Sequence, residues 1–311
     1  MNLDFQKGLT ENLPDLIRRT PKSDLHNHAA LGGQLSDFRA FLGTDIPPPP
    51  PIMKGLREMD RYIYGHLRPL FQTRENFEFA IGAAFRQAKN DGIVRIEMSI
   101  DCWFVNHYPN RAEGLASFLK QSHQEYAPDV NWIPEMGFSR NFEAPGYQHC
   151  VEECLDSGFF RSIDLYGEEL AEPPETYQYH FKKAKQQGMK CKAHAGEFGD
   201  ADHVRKTAEV LELDAVQHGI ASATSHEVMH WLAKNRIQLN VCPTSNVRLG
   251  VVKDLAHHPI RILFDHGIRV TLNTDDLLIF GASVSDEYFN LFQTGLFSAA
   301  ELDQIRENGL R

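Results

Sequence analysis

The stretch 189–198 reads M-K-C-K-A-H-A-G-E-F, with Glu197 three residues after His194. A zinc-binding imidazole must be neutral, and a general acid or base must stand within a hydrogen bond of the atom it serves. Ala195 and Gly196 keep bulk out of the space between the two, so a strand tip here can hold a metal and a proton carrier together. His26 and His28 form H-N-H; residues i and i+2 of a strand point to one side, so both imidazoles can converge on one ion. His218 stands in V-Q-H-G, and Asp275 and Asp276 close T-L-N-T-D-D. Each has an ordinary reading as well. A histidine before glycine often caps a helix, paired aspartates often sit in solvated turns, and 15 histidines make a chance H-x-H easy.

The ordinary readings do not explain why all these residues fall at the same end of successive strands. Eight short apolar runs occur at 23–27, 93–100, 130–138, 162–166, 189–193, 215–217, 238–242 and 269–272. Helical patterns lie between them, among others at 76–90, 177–187, 201–211 and 225–234. Strands alternating with helices of this length predict βαβ units and a parallel sheet. Eight repeats favour a closed barrel over an open doubly wound sheet, and no G-x-G-x-x-G follows the first strand. The expected fold class is therefore α/β, a (β/α)₈ TIM barrel forming one domain over residues 1–311. Its active site belongs at the carboxyl ends of the strands.

One stretch breaks the alternation. After the first strand, 31–71 is long, holds an unbroken row from Pro47 to Pro51, and carries Phe38, Phe41, Leu42, Ile52, Met53, Leu56 and Leu70. This helical and proline-containing insertion reads as a lid with apolar walls, since long loops in compact domains are often functional. The prolines themselves read as a rigid surface spacer.

With 311 residues, 42% hydrophobic and 24% charged, the composition is that of a globular enzyme. A formal charge of −10, without a basic stripe, argues against nucleic acid as a partner. No apolar run is long enough to span a bilayer, and residues 1–22 lack the apolar core of a signal peptide. Five cysteines with no C-x-x-C pair form a reduced pattern, so a cytoplasmic location is expected. Oligomeric state is not legible.

The chain resembles the adenosine deaminase family of metal-dependent hydrolases in the amidohydrolase superfamily. The matching pieces are P-K-S-D-L-H-N-H at 21–28, D-L-Y-G-E-E at 164–169, H-A-G-E at 194–197, H-G at 218–219, V-C-P-T-S-N at 241–246 and L-N-T-D-D at 272–276. The resemblance implies a hydrolase of C–N bonds in cyclic amidines, with one Zn²⁺ per chain at the mouth of the barrel. It makes His26, His28, His194 and Asp275 the metal ligands and Glu197 the proton donor to a purine ring nitrogen. His218 then orients or deprotonates the attacking water, Asp276 meets another ring nitrogen, and the backbone of Gly167 touches the base edge. The implied partner is a small aminated heterocycle or nucleoside.

In this family the H-x-H is usually followed by Leu-Asp-Gly, whose aspartate contacts the ribose 5′-hydroxyl. Here the chain reads H-N-H-A-A-L-G-G, with Ala30 in that place, so the expected substrate is not plain adenosine or is bound without that anchor. Gly32-Gly33 has two equal readings, a rebuilt turn and a substrate contact. Arg140 reads as a structural salt bridge or a mouth-facing cation, and Trp103, Phe104 and His107 as pocket wall or helix packing. His257-His258, before Pro259, reads as a surface or capping pair, and Cys150 and Cys154 as packing.

Rival readings are weaker. A two-metal amidohydrolase would need a lysine at the end of the fourth strand, where 164–169 has none. The zinc deaminases of nucleic-acid bases carry H-x-E with P-C-x-x-C, which is absent. A non-catalytic purine- or metal-binding barrel has no need of Glu197 or His218.

Overall fold

The computed structural model describes residues 2–140 and 144–311. Its eight strands are β1 (Lys22–His28), β2 (Ile93–Asp101), β3 (Asn131–Ser139), β4 (Ser162–Tyr166), β5 (Lys190–Ala195), β6 (Ala215–His218), β7 (Gln238–Val241) and β8 (Val270–Leu272). They pair in sequence order and in parallel throughout. Helices lie between consecutive strands, as in the expected TIM barrel.

Last strand and first meet at the carboxyl end. The Asp275 amide donates to the His26 carbonyl at 2.9 Å, and the His28 amide donates to the Asp275 carbonyl at 3.3 Å. This bridge, pairing Asn27 with Asp275, closes the seam. Side chains reinforce it: Asn273 accepts from the Leu25 amide at 2.8 Å, and Thr274 donates to Asp24 at 2.6 Å.

Below the site the barrel interior is polar. Lys192 on β5 reaches Glu97 at 2.9 Å and Glu135 at 2.6 Å, and donates to the Leu25 carbonyl at 2.8 Å. Two residues along the same strand His194 faces the same interior, one layer closer to the mouth. Buried charge costs a great deal unless paired, which is why the lysine lies between two glutamates.

The segment after β1 forms helices at Leu35–Leu42 and Leu56–Tyr62 and short turns to Phe71. Phe38, Ile46, Met53, Met59, Tyr62, Leu67 and Leu70 pack against Leu249, Leu278, Ile279 and Phe280. This second apolar cluster fixes the insertion to the loops after β7 and β8. The proline row is partly exposed and lies outside the cavity, as a spacer should. It is tethered all the same: Arg248 donates to the Pro50 carbonyl at 2.7 Å, and the Tyr62 hydroxyl to that of Pro47 at 2.8 Å.

All five cysteines are free and buried, in keeping with a packing role for Cys150 and Cys154. No helix among the described residues is long and apolar enough to cross a membrane.

Candidate active site

A cavity of about 820 Å³ opens at the carboxyl end of the barrel. His28, His194, Glu197, His218, Asp275, Asp276 and Gly167 all line it, and the buried His26 stands among them. The helix Leu56–Tyr62 contributes Leu56, Met59 and Asp60, so the insertion walls the cavity as a lid would. Trp103, Phe104 and His107 line it too, and Phe104 also stacks on Phe77 at 4.0 Å, so both readings of this group apply.

Ligand atoms of His26, His28 and His194 lie within 4.8 Å of one another. Asp275 Oδ1 is 3.5 Å from His26 Nε2 and 3.4 Å from His28 Nε2. The other ring nitrogen of His26 faces the Asn240 carbonyl at 3.3 Å, so that nitrogen carries the proton and Nε2 presents its lone pair inward. Among the described residues, His26 Nε2 and His194 Nε2 are buried without a hydrogen-bond partner. Burial holds His26 well below the usual histidine value, so it is neutral, as a ligand must be. Orphaned buried imidazole nitrogens around one carboxylate fit a divalent metal of the zinc type, since a buried polar group is otherwise paired.

His218 and Asp275 both have left-handed backbones, at φ 62° and 59°. Such conformations cost non-glycine residues of order 1–3 kcal/mol and cluster at functional sites. Here they turn a strand-end residue back toward the cavity floor.

Glu197 is buried, with Oε2 3.4 Å from His218 Nε2. Burial raises its carboxyl well above the ordinary value, and the negative charges of Asp275, Glu169 and Asp276 raise it further. That shift favours the protonated form, from which it can give a proton. Burial pulls His218 down to about 3, leaving it neutral. Asp276 is pushed up to about 7 by burial, and its Oδ1 has no hydrogen-bond partner. Gly167 takes φ 97°, a backbone open to glycine.

Several residues here escaped sequence reasoning. Glu169 accepts the amides of Gly196, Glu197 and Phe198, the last two at 3.1 and 2.8 Å, and so fixes the loop that carries Glu197. Asp164 Oδ2 is 3.7 Å from His194 Nε2, and neither oxygen of Asp164 has a hydrogen bond. Both lie in the matching piece D-L-Y-G-E-E at 164–169, from which only Gly167 was given a role. Arg140 does not line the cavity and makes no ion pair among the described residues; its Nη2 donates to the His194 carbonyl at 2.6 Å. His258 corrects the surface reading and keeps the capping one, since its Nδ1 accepts the Ile260 amide at the start of the helix Ile260–Asp265 at 3.1 Å. It is 2% exposed and bonded to Asn246, because the turn before Pro259 packs inward against the helix Pro243–Arg248. His257 is exposed and bound to Asp254, as expected of a surface residue.

The adenosine deaminase family model matches residues 57–311. The putative adenosine/adenine deaminase of Treponema pallidum is 38% identical over 291 residues, covering 94% of this chain and 97% of that one. The adenosine deaminase of Clostridium acetobutylicum is 37% identical over 323 residues, covering 96% and 94%. Among solved structures, the adenine deaminase of Arthrobacter aurescens superposes with a TM-score of 0.79 at 25% identity, covering 94% of this chain and 93% of its own. With the fold, the family model and these relatives in agreement, the chain belongs to the adenosine deaminase family, metal-dependent hydrolases acting on C–N bonds in cyclic amidines.

Proposed function

We propose that this chain is a hydrolytic deaminase of an uncharged aminopurine, either the free base or a nucleoside, holding one zinc ion. One observation carries the reading: among the described residues, buried imidazole nitrogens without hydrogen-bond partners share the floor of one cavity with a buried carboxyl, that of Glu197. His26, His28, His194 and Asp275 would hold the zinc ion, which when bound lowers the pKa of water to about 7.

The residues of the chain do the rest. Attack of water at the amino-bearing ring carbon breaks aromaticity, so a ring nitrogen must take up a proton as the C–O bond forms. Glu197 supplies that proton. Positioned proton transfer of this kind is worth roughly a hundredfold to ten-thousandfold. One proton of the water restores the Glu197 carboxyl, the other passes to the amino group as the new C–O bond becomes a carbonyl, and the C–N bond breaks with ammonia leaving. Asp276 and the backbone of Gly167 orient the base edge, and aromatic walls exclude water.

Charge favours neutral substrates. Beside the proton-bearing Glu197, the cavity walls carry the acidic groups of Asp60, Asp101, Asp275 and Asp276. Among the described residues one guanidinium, that of the exposed Arg68, lines it. A nucleotide phosphate would meet mostly negative potential. Ala30 lines the same cavity and offers no hydrogen bond to a sugar hydroxyl.

The test is ammonia release by the zinc-loaded protein from adenine, adenosine, 5′-deoxyadenosine and adenylate, with Glu197→Gln as the blank. Release from a neutral purine, lost in the variant while zinc is retained, is the expected result. Adenylate as the best substrate would overturn the charge argument, and silence across the panel would overturn the reading.

A further inference from the structure

Behind the cavity floor, four groups form one directed chain of hydrogen bonds. The Ile260 amide donates to His258 Nδ1 at 3.1 Å. His258 Nε2 lies 3.2 Å from Asn246 Oδ1. Asn246 Nδ2 then lies 3.2 Å from His218 Nδ1 and 3.4 Å from Glu197 Oε1. Neither Asn246 nor His258 lines the cavity.

The direction of the chain follows from its first member. A peptide N–H can only donate, so His258 Nδ1 must accept. His258 is buried and burial pulls it down to about 3, so it is neutral and its one proton sits on Nε2. That proton needs an acceptor, which makes the facing atom of Asn246 its oxygen. The amide nitrogen is thereby turned to the other side, where its two hydrogens meet two acceptors, Glu197 Oε1 and His218 Nδ1. Every polar atom of the Asn246 side chain is used. The backbone of Asn246 is anchored too, its carbonyl accepting from Val251 and Val252 at 3.0 Å each.

We propose that Asn246 and His258 are positioning residues that set the tautomer of His218, with its proton on Nε2. His218 then acts on the attacking water as a hydrogen-bond donor and not as its base, because a nitrogen that already carries a proton cannot take another. Among the described residues its Nε2 makes no hydrogen bond, Glu197 Oε2 lying 3.4 Å away, which leaves the N–H for this task. The catalytic part rests on the deaminase reading above; the tautomer does not.

Tautomers are read directly from long-range ¹H–¹⁵N correlations of protein labelled with ¹⁵N-histidine and loaded with zinc, in the absence of substrate. The expected spectrum shows His218 and His258 protonated on Nε2. His218 protonated on Nδ1 would overturn the proposal whatever the enzyme deaminates. Asn246→Leu and His258→Phe should each populate the other His218 tautomer and lower kcat roughly tenfold to a hundredfold, with KM within twofold and zinc bound. Wild-type kcat in zinc-loaded Asn246→Leu would refute the catalytic part. If that variant does not fold, the wild-type spectrum and His258→Phe still decide. An inactive protein with the expected tautomers would sink the deaminase reading and leave the relay standing.

Discussion

Ser245 holds Asp275 by its outer oxygen. The serine hydroxyl donates to Oδ2 at 2.6 Å, and this leaves Oδ1 turned toward His26 and His28. Groups that orient a metal-binding carboxylate are worth roughly tenfold to a hundredfold in metal affinity. Ser245→Ala should therefore weaken zinc binding by that factor, measured by competition with a chelator. Unchanged affinity would mean that the barrel seam alone orients Asp275.

Glu169 gives a second prediction. Its carboxylate faces three successive amides, and a carboxamide in its place would point an N–H₂ at donors that need acceptors. Glu169→Gln should lower kcat roughly tenfold to a hundredfold through misplacement of Glu197. Steady-state kinetics on zinc-loaded protein would check it. A variant with wild-type kcat would show that the 196–198 loop holds its shape without this carboxylate.

Arg248 ties the lid down. It donates to the carbonyls of Pro50 at 2.7 Å and Phe280 at 3.0 Å, and its own carbonyl accepts from Met53 at 2.6 Å. Arg248→Ala removes the side-chain tie and leaves the catalytic groups alone. The expected result is a KM raised roughly tenfold with kcat nearly unchanged, since uniform binding is what is lost. Amide exchange across residues 47–62 should quicken in parallel. A fall in kcat with KM constant would contradict this division.

Glu287 predicts a pH dependence of stability. It is buried, accepts the Thr244 amide on both oxygens at 3.0 and 3.3 Å, and burial raises its carboxyl to about 8 from an ordinary 4.5. Between those values the folded chain holds a proton that the unfolded chain has released. Stability contributed by this group therefore falls as pH rises through the window and is level above it. Glu287→Gln should flatten the slope of melting temperature against pH between about 5 and 8 relative to wild type. Parallel slopes in the two proteins would rule the group out.

Much of this was legible in the sequence, because strand ends and chemistry coincide. The eight apolar runs located every strand, and His26, His28, His194, Glu197, His218, Asp275 and Asp276 converge where the ends of those runs put them. The errors have physical reasons. β5 runs on to Ala195, past the expected stop at 193, because in a barrel a site residue can sit within the strand, and apolar patterning does not register His194. His258 read as a surface or capping residue because a loop histidine before proline usually is one; the capping half holds and the exposure does not. Its burial depends on a turn packing onto another loop, which no local pattern reports. Lys192, Glu97 and Glu135 lie far apart in the chain, and only the barrel register makes them a buried triad.

The seam has a consequence for synthesis. Asp275 both closes the barrel against the first strand and stands among the imidazoles of the floor. His26 leaves the ribosome long before Asp275, so the candidate site does not exist in any nascent or truncated chain that stops short of β8. Such a fragment would lack the latch of the barrel and one of the groups proposed to hold zinc. Activity is therefore a report on barrel closure: the molecule becomes an enzyme at the moment its first and last strands meet.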